Sequence, residues 1–163
     1  MIKVAILTMS DKGARGERED LSGAAIKELA GTLPAEFVAY EVIPDEKQAI
    51  VARLKEMSDV LGADVIITTG GTGVSPRDVT PEATMEVLDR ELPGMSEAMR
   101  AESMKNTPHA MLSRAVCGIR GRTLIINLPG SPKAVRENLA VILPAIPHAV
   151  EKICGDEAEC GRG

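Results

Sequence analysis

Thr68-Thr69-Gly70-Gly71-Thr72-Gly73-Val74-Ser75-Pro76-Arg77-Asp78-Val79-Thr80-Pro81-Glu82 follows the apolar run Val65-Ile66-Ile67. The run is short enough for a buried strand. Thr80 suits an N-cap, and Pro81 suits the first helical position, where its missing N–H would be unpaired anyway. The stretch therefore reads as strand, glycine-rich loop, polar loop, helix. Glycines let backbone N–H groups turn toward an anion, and Asp78 offers a hard oxygen for a divalent cation. A glycine cluster alone would be a plain turn. The neighbouring Thr, Arg and Asp make it a candidate phosphate site with a metal carboxylate.

Working outward, Lys3 to Met9 is a nearly continuous apolar run, as in a strand covered on both faces. It ends in Ser10-Asp11-Lys12-Gly13, where open α/β sheets bind ligands. The loop runs through Gly16 and Asp20 to Ser22-Gly23, before a helical pattern at Ile26, Leu29, Ala30 and Leu33. Asp20 and Ser22 serve equally well as loop polar groups or as binding residues. Glu36 to Ile43 alternates like a strand. Asp45 with Gln48 then resembles a capping box for a helix with the stripe Ile50, Leu54, Met57 and Leu61. Locally, capping explains Asp45 fully. Gly62 ends that helix, and Ala63 to Thr69 is the third strand.

Downstream, a helix is expected from Thr80 to about Arg90, with Met85 and Leu88 on its apolar side and a break at Pro93-Gly94. The next helix carries Met95, Met99, Glu97 and Arg100. By itself Arg100 is a surface residue, and His109 is an ordinary loop histidine. Ala115–Ile119 and Thr123–Leu128 form a hairpin across Arg120-Gly121-Arg122. Leu128-Pro129-Gly130-Ser131-Pro132-Lys133 repeats the strand–loop–helix pattern, and a helix N-terminus near a lysine attracts phosphate or carboxylate. Its helix presents Val135, Leu139, Ile142, Leu143 and Ile146, and Pro144 and Pro147 break it. The alternation predicts a three-layer α/β/α sandwich, with a mostly parallel sheet and one antiparallel strand. Right-handed crossovers bring Ser10-Asp11, the opening stretch and the Pro129 loop to one edge.

At 163 residues the chain suits one domain, expected over residues 1–153 with a flexible tail over 154–163. A net charge of −5 argues against general nucleic-acid binding, and one Tyr, one Phe and no Trp leave no stacking platform for single strands. Three cysteines make no disulfide framework, and Cys154, Cys160 and His148 lack a zinc spacing. With no signal-peptide pattern and no apolar run of about 20 residues, the expected compartment is the cytoplasm, with no membrane association.

The glycines match neither a Walker A loop nor the dinucleotide fingerprint. Several carboxylates, oriented N–H groups and no Ser-His-Asp or Cys-His set favour metal-assisted phosphoryl or nucleotidyl transfer. Thr68 to Gly73 with Arg77 to Glu82 resembles the signature of molybdopterin adenylyltransferases, the MogA/MoaB-like proteins of molybdenum-cofactor synthesis. The resemblance extends to Ser10-Asp11, Asp20–Gly23, Ile43-Pro44-Asp45, Pro93-Gly94-Met95, Glu97, Met99-Arg100, Ser113-Arg114 and Leu128–Lys133. It implies a trimeric enzyme of that fold, which uses Mg-ATP to transfer AMP to the terminal phosphate of molybdopterin and releases pyrophosphate. Asp45 and Asp78 become the catalytic and Mg²⁺-binding candidates. The substrate and nucleotide candidates are Ser10, Asp11, Gly70, Gly71, Thr72, Gly73, Thr80, Glu97, Arg100, Ser113, Pro129, Gly130, Ser131 and Lys133. The implied partners are molybdopterin, ATP, two further copies of the chain and, transiently, a separate molybdate-insertion protein. Two rivals stand beside this reading: a non-catalytic pterin-binding scaffold, and a nucleotide-processing enzyme unrelated to molybdenum.

Overall fold

The computed structural model describes residues 1–155, so the expected tail beyond Gly155, with Cys160, lies outside the described residues. Six strands form one sheet: β1 (Ile2–Met9), β2 (Ala35–Ile43), β3 (Val65–Thr69), β4 (Arg90–Glu91), β5 (Cys117–Arg120) and β6 (Thr123–Leu128), in the order β2-β1-β3-β6-β5-β4. The first three run parallel with β6. β5 is antiparallel to both of its neighbours, as the hairpin pattern implies. The helices are α1 (Asp11–Ala14), α2 (Leu21–Ala30), α3 (Lys47–Asp59), α4 (Thr80–Val87), α5 (Pro93–Met104), α6 (Pro132–Ile142) and α7 (Ile146–Ile153).

Burial on both faces explains the unbroken apolar strands. Val4, Ile6, Val65, Ile67, Leu124 and Ile126 join one core with α2, α6 and α7, to which α5 adds Met99. Their sequence neighbours Ala5, Leu7, Ile66 and Ile125 join the opposite core with α3 and α4. The period of two thus divides each strand between two helical layers, the three-layer sandwich. Each fully buried Ile or Leu is worth about 1.5–3 kcal/mol, so the central parallel strands β1, β3 and β6 form the rigid floor beneath the loops at their C-terminal ends.

Several local expectations change. Asp11–Ala14 is a short helix rather than open loop, capped by Ser10 Oγ, which accepts from Gly13 N–H at 2.9 Å. α4 stops at Val87 because the chain turns to place Arg90–Glu91 on β5, a two-residue charged edge that offers little to a second sheet. Met85 faces outward at 43% exposure, while Ala83 and Val87 pack inward. Pro93 opens α5 rather than breaking its predecessor. Leu61 lies beyond the end of α3, at 38% exposure. A 3₁₀ turn over Leu143–Ala145, with Pro144 inside it, leads into α7, where Pro147 occupies the first turn, so the helical path bends and resumes.

Candidate active site

The sheet centre reaches the glycine loop through hydroxyl groups. Asn127 is fully buried on β6; its Nδ2 donates to Thr68 Oγ1 and Thr84 Oγ1, each at 3.0 Å. Thr84 Oγ1 donates to Thr80 O at 2.8 Å, and Thr80 Oγ1 donates to Gly70 O at 2.9 Å. Thr80 is therefore not the N-cap: Val79 holds that position without a side-chain bond, and the buried Thr80 hydroxyl pins the loop instead. Gly70 and Gly71 carry φ of +94° and +67°. A Cβ on Gly70 would lie 2.3 Å from Met9 O, and one on Gly71 would lie 2.4 Å from Thr80 Oγ1. Only glycine fits here.

Arg114 completes the support. Its Nε donates to Gly73 O and its Nη2 to Asp78 O, both at 2.7 Å, while Nη1 pairs with Glu82. The second loop is tied in as well: Thr69 Oγ1 donates to Pro129 O and Ser22 Oγ to Gly130 O, both at 2.6 Å. The N–H groups of Gly71, Thr72 and Gly73 meet no acceptor among the described residues. Three adjacent free donors on a braced turn suit an anion.

Two clefts flank this loop. One, of about 610 Å³, is lined by Thr8, Ser10, Arg18, Asp20, Ser22, Asp45, Gly70 and Ser131. The other, of about 400 Å³, is lined by Thr72, Gly73, Arg100, Ser103, Thr107, Ser113, Pro129 and Asn138. Gly71, Asp78 and Gly130 belong to both and form a shared wall.

Asp45 does not cap α3, whose N-cap is Glu46 without a side-chain bond. Its Oδ2 accepts Asp11 N–H at 3.1 Å, and its own N–H donates to Asp11 Oδ1 at 3.0 Å. Burial first, then the charges of Asp11 and Asp78, push the Asp45 carboxyl above the usual carboxylate range. Arg77 holds the Asp11 carboxyl below it. Asp78 Oδ2 accepts Ser75 N–H at 3.0 Å. Asp45 Oδ1 and Asp78 Oδ2 lie 3.1 and 2.9 Å from the Cβ positions that Gly71 and Gly73 lack. The missing side chains bring two mutually unfavourable acids against one turn. Among the described residues no three His, Cys, Asp or Glu gather as a metal cluster. Mg²⁺ fits such a site, because one or two carboxylates with substrate phosphates complete its shell.

Most of the expected site residues converge here, but four stand apart. Asp11 lines an outer hollow with Arg77 and Glu46 rather than either cleft. Thr80 lies beneath the loop, Glu97 is exposed on α5, and Lys133 points outward near Glu137 Oε1 at 4.0 Å. Sequence reasoning gives Arg114 only as part of the Ser113-Arg114 resemblance, gives Thr107 and Asn138 no site role, and leaves Asp20 open between a loop and a binding role. Asp20 caps α2 by accepting Gly23 N–H at 2.9 Å, and it also accepts the Thr8 and Tyr40 hydroxyls at 2.7 and 2.6 Å. The Ser113-Arg114 pair was visible, but nothing local marked the guanidinium as the brace of a loop about 40 residues away. Arg100 Nη1 donates to Ser113 O and Ala115 O at 3.3 and 2.9 Å, which fixes it on the second cleft.

Comparison with known proteins gives a consistent answer. Residues 5–148 match a family model described as a probable molybdopterin binding domain. A relative from Helicobacter pylori strain J99, named molybdopterin adenylyltransferase, is 47% identical over 158 residues, covering 95% of this chain and 89% of its own length. One of that name from Escherichia coli K12 is 41% identical, covering 85% and 72% respectively. The crystal structure of the molybdopterin biosynthesis enzyme MoaB from Thermus thermophilus superposes with a TM-score of 0.90 at 53% identity, covering 98% of this chain and all of that one.

Proposed function

The chain belongs to this family of molybdopterin-binding domains, and from that premise we propose that it is a molybdopterin adenylyltransferase. It transfers AMP from ATP to the terminal phosphate of molybdopterin in an Mg²⁺-dependent reaction. The observation that carries this reading is the shared wall: two clefts meet at Gly71, Asp78 and Gly130, with Asp45 facing the first. A transferase joining two bound substrates needs this arrangement, because their reacting phosphates must meet at one point.

A phosphate oxygen of molybdopterin attacks the α-phosphorus of ATP. The new P–O bond forms as the bond from the α-phosphorus to the α–β bridging oxygen breaks, and pyrophosphate leaves. No protein nucleophile is needed. The free N–H groups of Gly71, Thr72 and Gly73 bind phosphate oxygens as charge builds on them. Asp45 and Asp78 would hold Mg²⁺, which would supply charge neutralisation at the phosphates. Thr80 and Arg114 keep the loop from relaxing, so donors are aligned before the substrates arrive.

A homotrimer acting in the cytoplasm, in transient contact with a molybdate-insertion protein, completes the proposal. No helix among the described residues is long and apolar enough to cross a membrane, and Met104 on α5 adds an exposed apolar residue for subunit contact. Light scattering should give three times the chain mass.

The decisive experiment incubates the protein with ATP, Mg²⁺ and molybdopterin and looks for adenylylated pterin and pyrophosphate. Asp78→Asn should lower turnover by about 10²–10³-fold with little change in melting temperature. Absence of product from well-folded wild-type protein would refute the reading, and pterin binding without AMP transfer would support a scaffold instead.

A further inference from the structure

Arg77 lies between the two carboxylates in the chain of contacts yet lines neither cleft. It precedes Asp78 in sequence. Its guanidinium spans Asp11, with Nε to Oδ2 at 3.2 Å and Nη2 to Oδ1 at 2.9 Å, and Nη2 also reaches Glu46 Oε1 at 3.0 Å. Asp11 is in turn doubly bonded to Asp45 through each residue's N–H and the other's carboxylate. A continuous path therefore runs from the Asp78 loop through Arg77 and Asp11 to Asp45. Three separate strand ends meet in it: that of β3 through its loop, that of β1 and that of β2.

We propose that Arg77 and Asp11 form a positioning clasp that sets where Asp45 lies relative to Asp78. The clasp rests on the adenylyl-transfer reading above. The Arg77 side chain is 54% exposed, and an ion pair so open to water adds little to stability. Two features give this one a geometric consequence. A planar fork on a carboxylate fixes orientation as well as distance. Asp11 also spends both carboxylate oxygens on Arg77 while one of them accepts the Asp45 N–H. Any shift of the Arg77 loop is thereby transmitted to the Asp45 backbone. Asp45 and Asp78 repel each other, so a site without the clasp is free to widen and would hold a cation less tightly.

The test compares Arg77→Met, Asp11→Asn, the double variant and Arg77→Lys, with Arg136→Met as a remote control that loses only the exposed pair with Glu28. Asp11→Asn keeps the backbone N–H to Asp45 and removes the charge pairing. Each clasp variant should lower kcat about 10–100-fold, with the KM of each substrate within about twofold and the melting temperature within about 2 °C. The double variant should be no worse than the poorer single one, and Arg77→Lys should recover part of the loss. A readout independent of turnover is the Mn²⁺ dissociation constant, measured by electron paramagnetic resonance with a non-hydrolysable ATP analogue. It should weaken about tenfold in Arg77→Met. Unchanged kcat and Mn²⁺ affinity in Arg77→Met, or fully additive losses in the double variant, would overturn the clasp. Wild-type protein that transfers no AMP would refute the activity alone; the Mn²⁺ series would still decide the clasp.

Discussion

The two clefts share a wall but are built differently. The first lies over the ends of β1, β2 and β3, where carboxylates are locked by backbone groups, as Asp45 is by Asp11 and Asp20 by Gly23. The second is enclosed by helical side chains, Arg100 and Ser103 from α5 and Asn138 from α6, where the buried Asn138 Nδ2 donates to Ser103 Oγ at 2.6 Å. One side gathers Glu19, Asp20, Asp45 and Asp78 around a single guanidinium, Arg18. The other carries Asp78 and Glu137 with the Arg100 guanidinium among neutral hydrogen-bonding groups. Under the proposed transfer, the metal-binding phosphates would sit beside the more acidic cleft, and the helix-lined cleft would take a neutral ring or sugar.

Substitutions can break or sharpen this contrast. The largest effect is expected from Asp45→Asn, which removes charge from the first cleft alone: turnover should fall about 10²–10³-fold. Stability should move the other way. The native carboxyl titrates above the ordinary 3.8 through burial and the charges of Asp11 and Asp78, so the folded state holds a proton that the unfolded chain has lost. Stability therefore falls as pH rises from 3.8 through the raised native value. Above that window Asp45→Asn should melt at a higher temperature than wild type, and below about 3.8 the difference should vanish. Calorimetry across pH tests the sign.

Gly71→Ala strikes the shared wall. The methyl group would meet Thr80 Oγ1 at φ +67°, costing about 1–3 kcal/mol of stability. Both substrates should weaken together, with kcat/KM down about 10²-fold. Arg100→Met should separate the clefts instead, weakening one substrate about tenfold and leaving the other within twofold, by calorimetric titration of each. Lys133→Met and Glu97→Gln, both outside the clefts, should change kcat/KM less than about twofold.

The same contrast explains what the sequence made legible. The first cleft is built from strand ends and the loops after them, where an apolar run followed by Gly, Ser and Asp is a local pattern. Gly70 to Gly73, Asp78, Ser10 and the Pro129 loop were all readable there. Asp45 was visible, but local reasoning assigned it to a helix cap, because only the folded chain brings the Asp11 backbone to its carboxylate. Much of the second cleft had no local signal. Thr107, before a 3₁₀ turn, and Asn138, on α6, line it from separate elements, and each alone looks like ordinary helix or loop chemistry. β4 escaped for a related reason: Arg90–Glu91 has no apolar alternation and is a strand only because β5 accepts it.

Tyr40 gives the molecule an optical handle. It is the only tyrosine, and there is no tryptophan. Burial first, and then Asp20, keeps its hydroxyl protonated well beyond the usual range. The phenol that dominates the near-ultraviolet spectrum is thus wired by one hydrogen bond to a carboxylate lining the first cleft. A ligand that enters beside Asp20 changes the charge felt by the chromophore, so filling of this cleft can be followed in the unlabelled protein by its own emission.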